Sequence, residues 1–120
     1  MLGCGSLARE VLLPVLSRLS DVEVTVVADP DQDARDATVR FAPHARALAD
    51  WRDAVARSDV DGVIVALPTA MHAEAAIAVI EAGRHLYLEK PVAATVEQGR
   101  RLAEVVRLKP YITVRVGFNY

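Results

Sequence analysis

The sequence of 120 residues predicts an α/β fold in which helices cover both faces of a doubly wound parallel sheet. Two observations favour this class. Apolar, β-branched runs alternate along the chain with segments whose apolar residues recur at helical spacing. One run, GVIVALP at residues 62–68, is apolar throughout, which is typical of a strand buried on both faces. The length corresponds to one domain, residues 1–120, and is short for an enzyme that also needs a separate substrate domain.

The first half of the chain begins with a helix and a strand. The helical pattern runs from Leu7 to Leu19, and Pro14 within it predicts a kink. The run VEVTVVAD then predicts a strand that ends at Asp29. The remaining patterns of this half predict, in order, a weak helix, a short strand and a helix, at residues 31–41, 45–48 and 50–57.

The second half alternates strands and helices in the same way. A helix follows the strand at 62–68 and ends near Gly83, a residue typical of C-terminal caps. HLYLEKP predicts the next strand, and Thr95 with Gln98, at capping-box spacing, begins the last helix. Over residues 112–118, apolar residues alternate with threonine, arginine and glycine. This period of two predicts a strand with one exposed face near the sheet edge.

Composition excludes several classes of protein. The formal net charge of −2 favours neither nucleic acid nor an anionic membrane as a partner. No apolar run approaches the ~20 residues that a membrane span requires, and no signal peptide is recognisable. The single cysteine, Cys4, can form neither an internal disulfide nor a multi-cysteine metal site. We therefore expect a cytoplasmic protein without a metal.

The stretch MLGCGSLA contains a dinucleotide-binding fingerprint of the Rossmann-like type. Gly3, Gly5 and Ala8 have the spacing G-x-G-x-x-A, and a helix follows directly. In this motif Gly3 permits the tight turn, Gly5 lets the backbone approach a pyrophosphate, and Ala8 lets helix and strand pack closely. The amides of Ser6 and Leu7, at the helix start, would hold the phosphates. The alternative is an ordinary turn of small residues.

The first strand that this fingerprint requires is largely missing, because only Met1 and Leu2 precede the turn. Loss of four buried apolar side chains, at about 1.5–3 kcal/mol each, would lower the stability of the fold by on the order of 6–12 kcal/mol. A whole domain has a net stability of only about 5–15 kcal/mol. We therefore expect a truncated sequence, the alternatives being a start further upstream or a strand supplied by another chain.

Asp29, at the end of the second strand, is the acidic residue that this fingerprint expects about 20 residues further on. A carboxylate there accepts hydrogen bonds from the adenosine ribose and repels a 2′-phosphate, which favours NAD over NADP. Two alternatives remain open. Asp29 could be a turn residue before Pro30, and Arg35 could turn toward a 2′-phosphate.

Two further groups of residues follow strand ends at the same edge of the sheet, where ligands bind in open α/β folds. Pro68, Thr69 and His72 follow the buried strand. Two roles are open for His72: contact with the cofactor or substrate, or a purely structural or capping role in the helix. The triplet Glu89-Lys90-Pro91 ends the next strand. Beside a nicotinamide, the Lys90 ammonium would bind a substrate hydroxyl and stabilise negative charge as the proton leaves, and Glu89 would orient it. The alternative is a charged pair at a strand end.

These motifs occur in one order along the whole chain: Gly3–Ala8, Asp29–Asp31, Pro68–His72, Gly83–His85, Glu89–Pro91 and Gly117–Tyr120. Together they resemble the N-terminal domain of the glucose–fructose oxidoreductase, inositol dehydrogenase and MocA (Gfo/Idh/MocA) family. The resemblance implies an NAD(P)-dependent oxidoreductase that acts on a sugar, a cyclitol or a related hydroxyl compound. It also implies a second domain that covers the substrate, which this chain does not contain.

The resemblance also implies roles for individual residues. Lys90 would lie near substrate and nicotinamide as the catalytic residue, and Asn119 near the substrate. The cofactor would be contacted by Pro68, Thr69, His72, Glu89 and Pro91.

Two other functions remain open. One is a non-catalytic module for nucleotide sensing or dimerisation, which could form a homo-oligomer. The other is an S-adenosylmethionine domain, to which the Glu89-Lys90-Pro91 triplet gives no support.

Overall fold

The computed structural model describes residues 1–118, so that Asn119 and Tyr120 lie outside the described residues. It contains five short strands, all parallel to their neighbours. They are β1 (Val26–Ala28), β2 (Arg46–Leu48), β3 (Gly62–Val65), β4 (His85–Leu88) and β5 (Val114–Val116). β1 pairs with β2, and β3, β4 and β5 pair in that order.

Leu2 joins these two groups of strands into one sheet. Its amide donates to the carbonyl oxygen of Ile64 at 2.8 Å, and its own carbonyl oxygen accepts from the Ala66 amide at 2.8 Å. On the other side, the Gly3 amide donates to the carbonyl oxygen of Ala28 at 2.8 Å. If this segment counts as the first strand, the strand order is 3-2-1-4-5-6, that of a doubly wound dinucleotide-binding fold. The predicted fold class is confirmed.

Helices connect the strands. They are α1, which is π-helical over Ala8–Leu12 and α-helical over Leu13–Leu16, α2 (Gln32–Asp36), α3 (Trp51–Val55), α4 (Thr69–Glu81) and α5 (Val96–Leu108). The wide turn of α1 directly precedes Pro14, which has no N–H and whose ring crowds the preceding turn. The helical hydrogen bonding thus changes just before Pro14, which agrees with the prediction that this proline kinks the helix or starts a new turn. No helix within residues 1–118 is long and apolar enough to cross a membrane.

Two predicted helix ends have the expected hydrogen bonds. Gly83 follows α4 with φ of 76°, and the Arg84 amide donates to the Val79 carbonyl oxygen at 3.1 Å. This is the Schellman arrangement, which favours glycine because the left-handed conformation strains other residues. Thr95 caps α5, since its hydroxyl oxygen accepts from the Gln98 amide at 3.2 Å.

Several elements are shorter than predicted, and two of them differ most. The predicted helix over 31–41 ends at Asp36 and continues as turns. The second strand begins only at Val26, whose carbonyl oxygen accepts from the Met1 amine at 2.9 Å. Residues 22–25 instead line a groove of about 660 Å³, with residues 59–63 on its other side. Their apolar pattern is that of a strand, but hydrogen bonding to the Met1–Gly3 segment begins only at Val26.

The core lies between the sheet and its helices, and Leu2 is part of it with 1% of its surface exposed.

We predict that Leu2→Ala lowers the free energy of unfolding by about 2–5 kcal/mol, because it opens a cavity at the centre of the sheet. Urea titration would measure this change. The matched control is Leu108→Ala in α5, where 71% of the side chain is exposed. It should change stability by no more than about 0.5 kcal/mol. Equal effects of the two substitutions would contradict the central position of Leu2.

Candidate functional site

A cavity of about 500 Å³ opens at the carboxyl ends of β1, β3 and β4. Ten of the residues predicted for the site line it: Gly3, Gly5, Ser6, Leu7, Asp29, Pro68, Thr69, His72, Glu89 and Lys90. Sequence reasoning did not find the other side chains of its wall, which are Ala28, Pro30, Trp51, Ala66, Leu67 and Met71. Most of these are apolar residues at strand and helix ends, and only the topology shows that they share one cavity.

Three predicted site residues do not line this cavity. Ala8 is 1% exposed and belongs to the buried side of α1. Pro91 follows Lys90 through a cis peptide bond, and its carbonyl oxygen faces His72. Asn119 lies outside the described residues, so the structure gives it no position.

The two glycines of the turn have different surroundings. Gly3 has φ of 91°, and a Cβ atom there would lie 2.3 Å from the carbonyl oxygen of Ala66. Only glycine can therefore occupy this position without displacing the backbone. A Cβ atom on Gly5 would meet nothing within 4 Å. The absent side chain at Gly5 leaves space in the cavity, whereas the absent side chain at Gly3 allows the loop after β3 to pack against the turn.

The start of the first helix presents unpaired amides to this cavity. The Gly5 carbonyl oxygen accepts from the Arg9 amide at 3.1 Å, so the helical hydrogen bonds begin there. Within residues 1–118, the amides of Ser6 and Leu7 have no acceptor, and both residues are exposed. Amides at a helix start, together with the positive end of the helix dipole, bind anions.

Asp29 lies across the cavity from this helix start and is bound to the glycine turn. One carboxylate oxygen accepts from the Cys4 amide at 2.8 Å, and the other accepts from the Asp31 amide at 2.9 Å. A carboxylate can accept about four hydrogen bonds, so both oxygens retain capacity for a ligand. Arg35 lies beside it, and its guanidinium donates to the carbonyl oxygens of Asp29 at 2.6 Å and Pro30 at 3.1 Å.

Two buried polar side chains belong to the opposite wall. His72 is 2% exposed, and its Nδ1 and Nε2 lie 2.6 Å and 2.7 Å from the carbonyl oxygens of Pro91 and Leu67. Glu89 is 7% exposed, and one of its carboxylate oxygens accepts from the Lys90 amide at 3.3 Å. The side chain of Lys90 is exposed and forms no ion pair with the described part of the chain.

Two residues that the sequence did not reveal surround the Glu89 carboxylate. The Tyr87 hydroxyl donates to it at 3.3 Å, and burial, followed by the carboxylate charge, raises the pKa of Tyr87. A Cβ atom on Gly117 would lie 2.5 Å from the Tyr87 hydroxyl and 2.8 Å from the Glu89 carboxylate. Gly117 therefore leaves the space that both groups occupy. Strand periodicity could have indicated the contact between Tyr87 and Glu89, because residues two apart in a strand lie on the same face.

The fold and the cleft define a nucleotide-binding domain of the doubly wound type. Comparison with known proteins then identifies the family. Residues 1–118 match the GFO_IDH_MocA model, an oxidoreductase family with an NAD-binding Rossmann fold, and the chain belongs to this family. The resemblance inferred from the motifs is confirmed.

Two relatives of known sequence are dehydrogenases. Inositol 2-dehydrogenase from Burkholderia multivorans is 34% identical over 119 residues, which cover 98% of this chain and 35% of that protein. Levoglucosan dehydrogenase from Pseudarthrobacter phenanthrenivorans is 37% identical over 98 residues, which cover 82% of this chain and 24% of the relative. The chain therefore spans about a third or less of the length of these relatives.

Solved structures show the same fold. KijD10, a 3-ketoreductase from Actinomadura kijaniata in complex with TDP-benzene and NADP, has a TM-score of 0.86 at 30% identity. The match covers 98% of this chain and 36% of that one. Scyllo-inositol dehydrogenase from Lactobacillus casei, with bound NAD(H) and scyllo-inositol, has a TM-score of 0.90 at 18% identity, over 97% and 34% of the two chains. At this identity the likeness concerns the fold alone.

The cavity offers no obvious metal site. Within residues 1–118, no three histidine, cysteine or acidic side chains come together as metal ligands would. The polar groups that surround the cavity are instead amides, carboxylates, one imidazole and one ammonium.

We predict that the Cys4 thiol is unreactive in the folded chain. Burial, and secondly the Asp29 carboxylate, raise its pKa to about 11, so almost no thiolate is present at pH 8. A thiol-exchange reagent should modify it at least ~100-fold more slowly than it modifies the urea-unfolded chain, because the thiolate is the nucleophile. Asp29→Asn, which removes the negative charge, should lower the pKa and accelerate the reaction. Equal rates in folded and unfolded chains would contradict this environment.

Proposed function

We propose that this chain binds NAD through the cleft at the carboxyl ends of the strands. The observation that carries the proposal is the combination of two free amides, on Ser6 and Leu7, with the Asp29 carboxylate in one cavity. The amides suit the pyrophosphate, and the carboxylate suits the hydroxyls of the adenosine ribose. The open space at Gly5 fits a ligand that approaches the backbone closely.

NAD is preferred over NADP in this proposal. A 2′-phosphate would meet the negative charge of Asp29, and the nearby Arg35 guanidinium is held by two backbone carbonyl oxygens. Binding a phosphate through Arg35 would require these contacts to be exchanged for new ones. Among the structures similar to this chain, one holds NAD(H) and another holds NADP, so the local residues must decide the preference.

Titration of the chain with each cofactor in a calorimeter tests the proposal. We expect saturable NAD binding, with an affinity for NADP at least about tenfold weaker, which is about 1.4 kcal/mol. Gly5→Ala should weaken NAD binding by a similar factor, because its methyl group enters the cavity, without destabilising the fold. The control is Gly99→Ala within α5, which should leave NAD affinity unchanged and stabilise the chain by about 0.5–1 kcal/mol. No binding of either cofactor would refute the proposal.

The second part of the proposal concerns the reaction of the complete enzyme. NAD, when bound, exchanges a hydride at its nicotinamide with a carbon of the substrate. Lys90 is an exposed cation in the lining of the cavity, and we infer that it binds the reacting substrate oxygen. Its positive charge stabilises the oxygen as the hydroxyl proton leaves. Glu89, held by Tyr87 and by the Lys90 amide, fixes the backbone from which this lysine extends.

The substrate class follows from the relatives. Inositol 2-dehydrogenase and levoglucosan dehydrogenase are named for polyhydroxy compounds, and we propose a substrate of this kind. The general base and most substrate contacts would come from a domain beyond the third of these proteins that the chain spans. A cytoplasmic location and a homo-oligomer stay predictions of the sequence.

In an enzyme that contains this domain, we predict that Lys90→Met lowers kcat by about 10²–10³-fold, the usual cost of removing one group that stabilises developing negative charge. The dissociation constant of NAD should change much less, because Lys90 faces the substrate. Steady-state kinetics and cofactor titration measure the two quantities. Unchanged kcat would remove the lysine from the mechanism.

A further inference from the structure

The histidine in the wall of the cleft has an unusual pair of hydrogen bonds. His72, in the first turn of α4, has Nδ1 2.6 Å from the Pro91 carbonyl oxygen and Nε2 2.7 Å from the Leu67 carbonyl oxygen. A carbonyl oxygen accepts hydrogen bonds and cannot donate one. Both ring nitrogens must therefore donate. An imidazole that carries two N–H groups is the positively charged imidazolium.

Other states of the ring do not fit these distances. In a neutral ring, one nitrogen has a lone pair and no hydrogen, and that lone pair would face a carbonyl oxygen within 2.7 Å. If the ring were rotated by half a turn, carbon atoms would occupy these positions, and a C–H···O contact needs about 3.3–3.6 Å. Two nitrogen donors are thus the arrangement that satisfies both carbonyl oxygens.

The two acceptors belong to different loops. Leu67 follows β3 and precedes α4, and Pro91 follows Lys90 at the end of β4. We infer that His72 is a positioning residue: as an imidazolium it joins these two loops and thereby holds Lys90 in place beside the cofactor. The positioning of Lys90 rests on the proposed function, whereas the charge and the two bonds do not.

The ionisable groups that share the cavity with His72 are Asp29, Glu89 and Lys90. None of their side chains hydrogen-bonds to the imidazole within the described chain. Lys90 and the positive end of the α4 dipole oppose a cation here, and the two carboxylates favour it. The direct partners are the two carbonyl oxygens, and a charged donor makes each of these hydrogen bonds stronger than a neutral one.

The chain contains two other histidines that serve as internal controls. His85 accepts a hydrogen bond at Nδ1 from the Thr113 amide at 3.0 Å, so its Nδ1 serves as an acceptor and not as a donor. His44 is exposed. We therefore expect three distinguishable imidazoles in one molecule.

Nuclear magnetic resonance of the chain labelled with ¹⁵N-histidine tests the charge directly. The His72 signals should show hydrogens on both ring nitrogens under conditions in which His85 shows one on Nε2 only. His44→Gln and His85→Gln, which each remove one set of signals, assign His72 by elimination without changing it. A His72 ring with a single N–H under those conditions would overturn the inference.

Amide hydrogen exchange tests the positioning role without any cofactor. The Glu89 amide donates to the Val65 carbonyl oxygen at 3.0 Å, next to the loops that His72 joins. In His72→Gln this amide should exchange at least about tenfold faster through local opening. The Leu86 amide, bonded to Thr113 at 2.9 Å, should exchange at its original rate. His44→Gln is the matched control and should change neither rate. If His72→Gln does not fold, the two amides are compared in His72→Asn, and the ring ¹⁵N signals of the unchanged chain still test the two hydrogen bonds.

The functional consequence is measured by NAD titration. NAD affinity should fall several-fold in His72→Gln. Unchanged affinity and unchanged exchange at Glu89 would refute the positioning role. If the unsubstituted chain binds no NAD, the proposed function is wrong, while the imidazole signals and the exchange rates still decide whether His72 joins the two loops.

Discussion

The backbone hydrogen bonds of Met1, Leu2 and Gly3 hold the sheet together at its centre. They pair with β1 on one side and with β3 on the other, and Leu2 is the residue that bridges both. The nucleotide-binding turn begins at Gly3, so the same bonds also determine where the turn lies relative to the ends of these strands. Gly3 also approaches the Ala66 backbone closely, and this contact fixes the position of the turn against the loop after β3. The cleft depends on this short segment more than on any single helix.

The polar groups of the cleft are held by other parts of the backbone. The Asp29 carboxylate is bound to the Cys4 and Asp31 amides, and His72 is bound to two loop carbonyl oxygens. A buried polar group without a partner costs about 1–3 kcal/mol, so such contacts also favour one conformation of the loops. The amides of Ser6 and Leu7 differ, because they have no acceptor within residues 1–118. The cleft thus combines fixed walls with donors that are free for a ligand.

Much of this architecture was readable from local sequence patterns. Strand and helix alternation predicted a parallel sheet, and the residues at strand ends predicted one edge as the site. Gly83 and Thr95 predicted helix ends because caps depend on only a few neighbouring residues. The length of the second strand was overestimated, since VEVTVVAD has the right residues but pairing to the central segment begins only at Val26. Partners of a strand are distant in sequence, and periodicity does not report them.

The sequence by itself determined the class of fold, the glycine turn before the first helix and the edge of the sheet at which ionisable residues gather. Each of these follows from residues that are adjacent or regularly spaced. Only the tertiary structure decided that Leu2 completes the sheet, that both nitrogens of His72 face carbonyl oxygens, and that Gly117 makes room for Tyr87 and Glu89. These are contacts between segments far apart in the chain. Their geometry depends on how strands and loops pack, which no local pattern encodes.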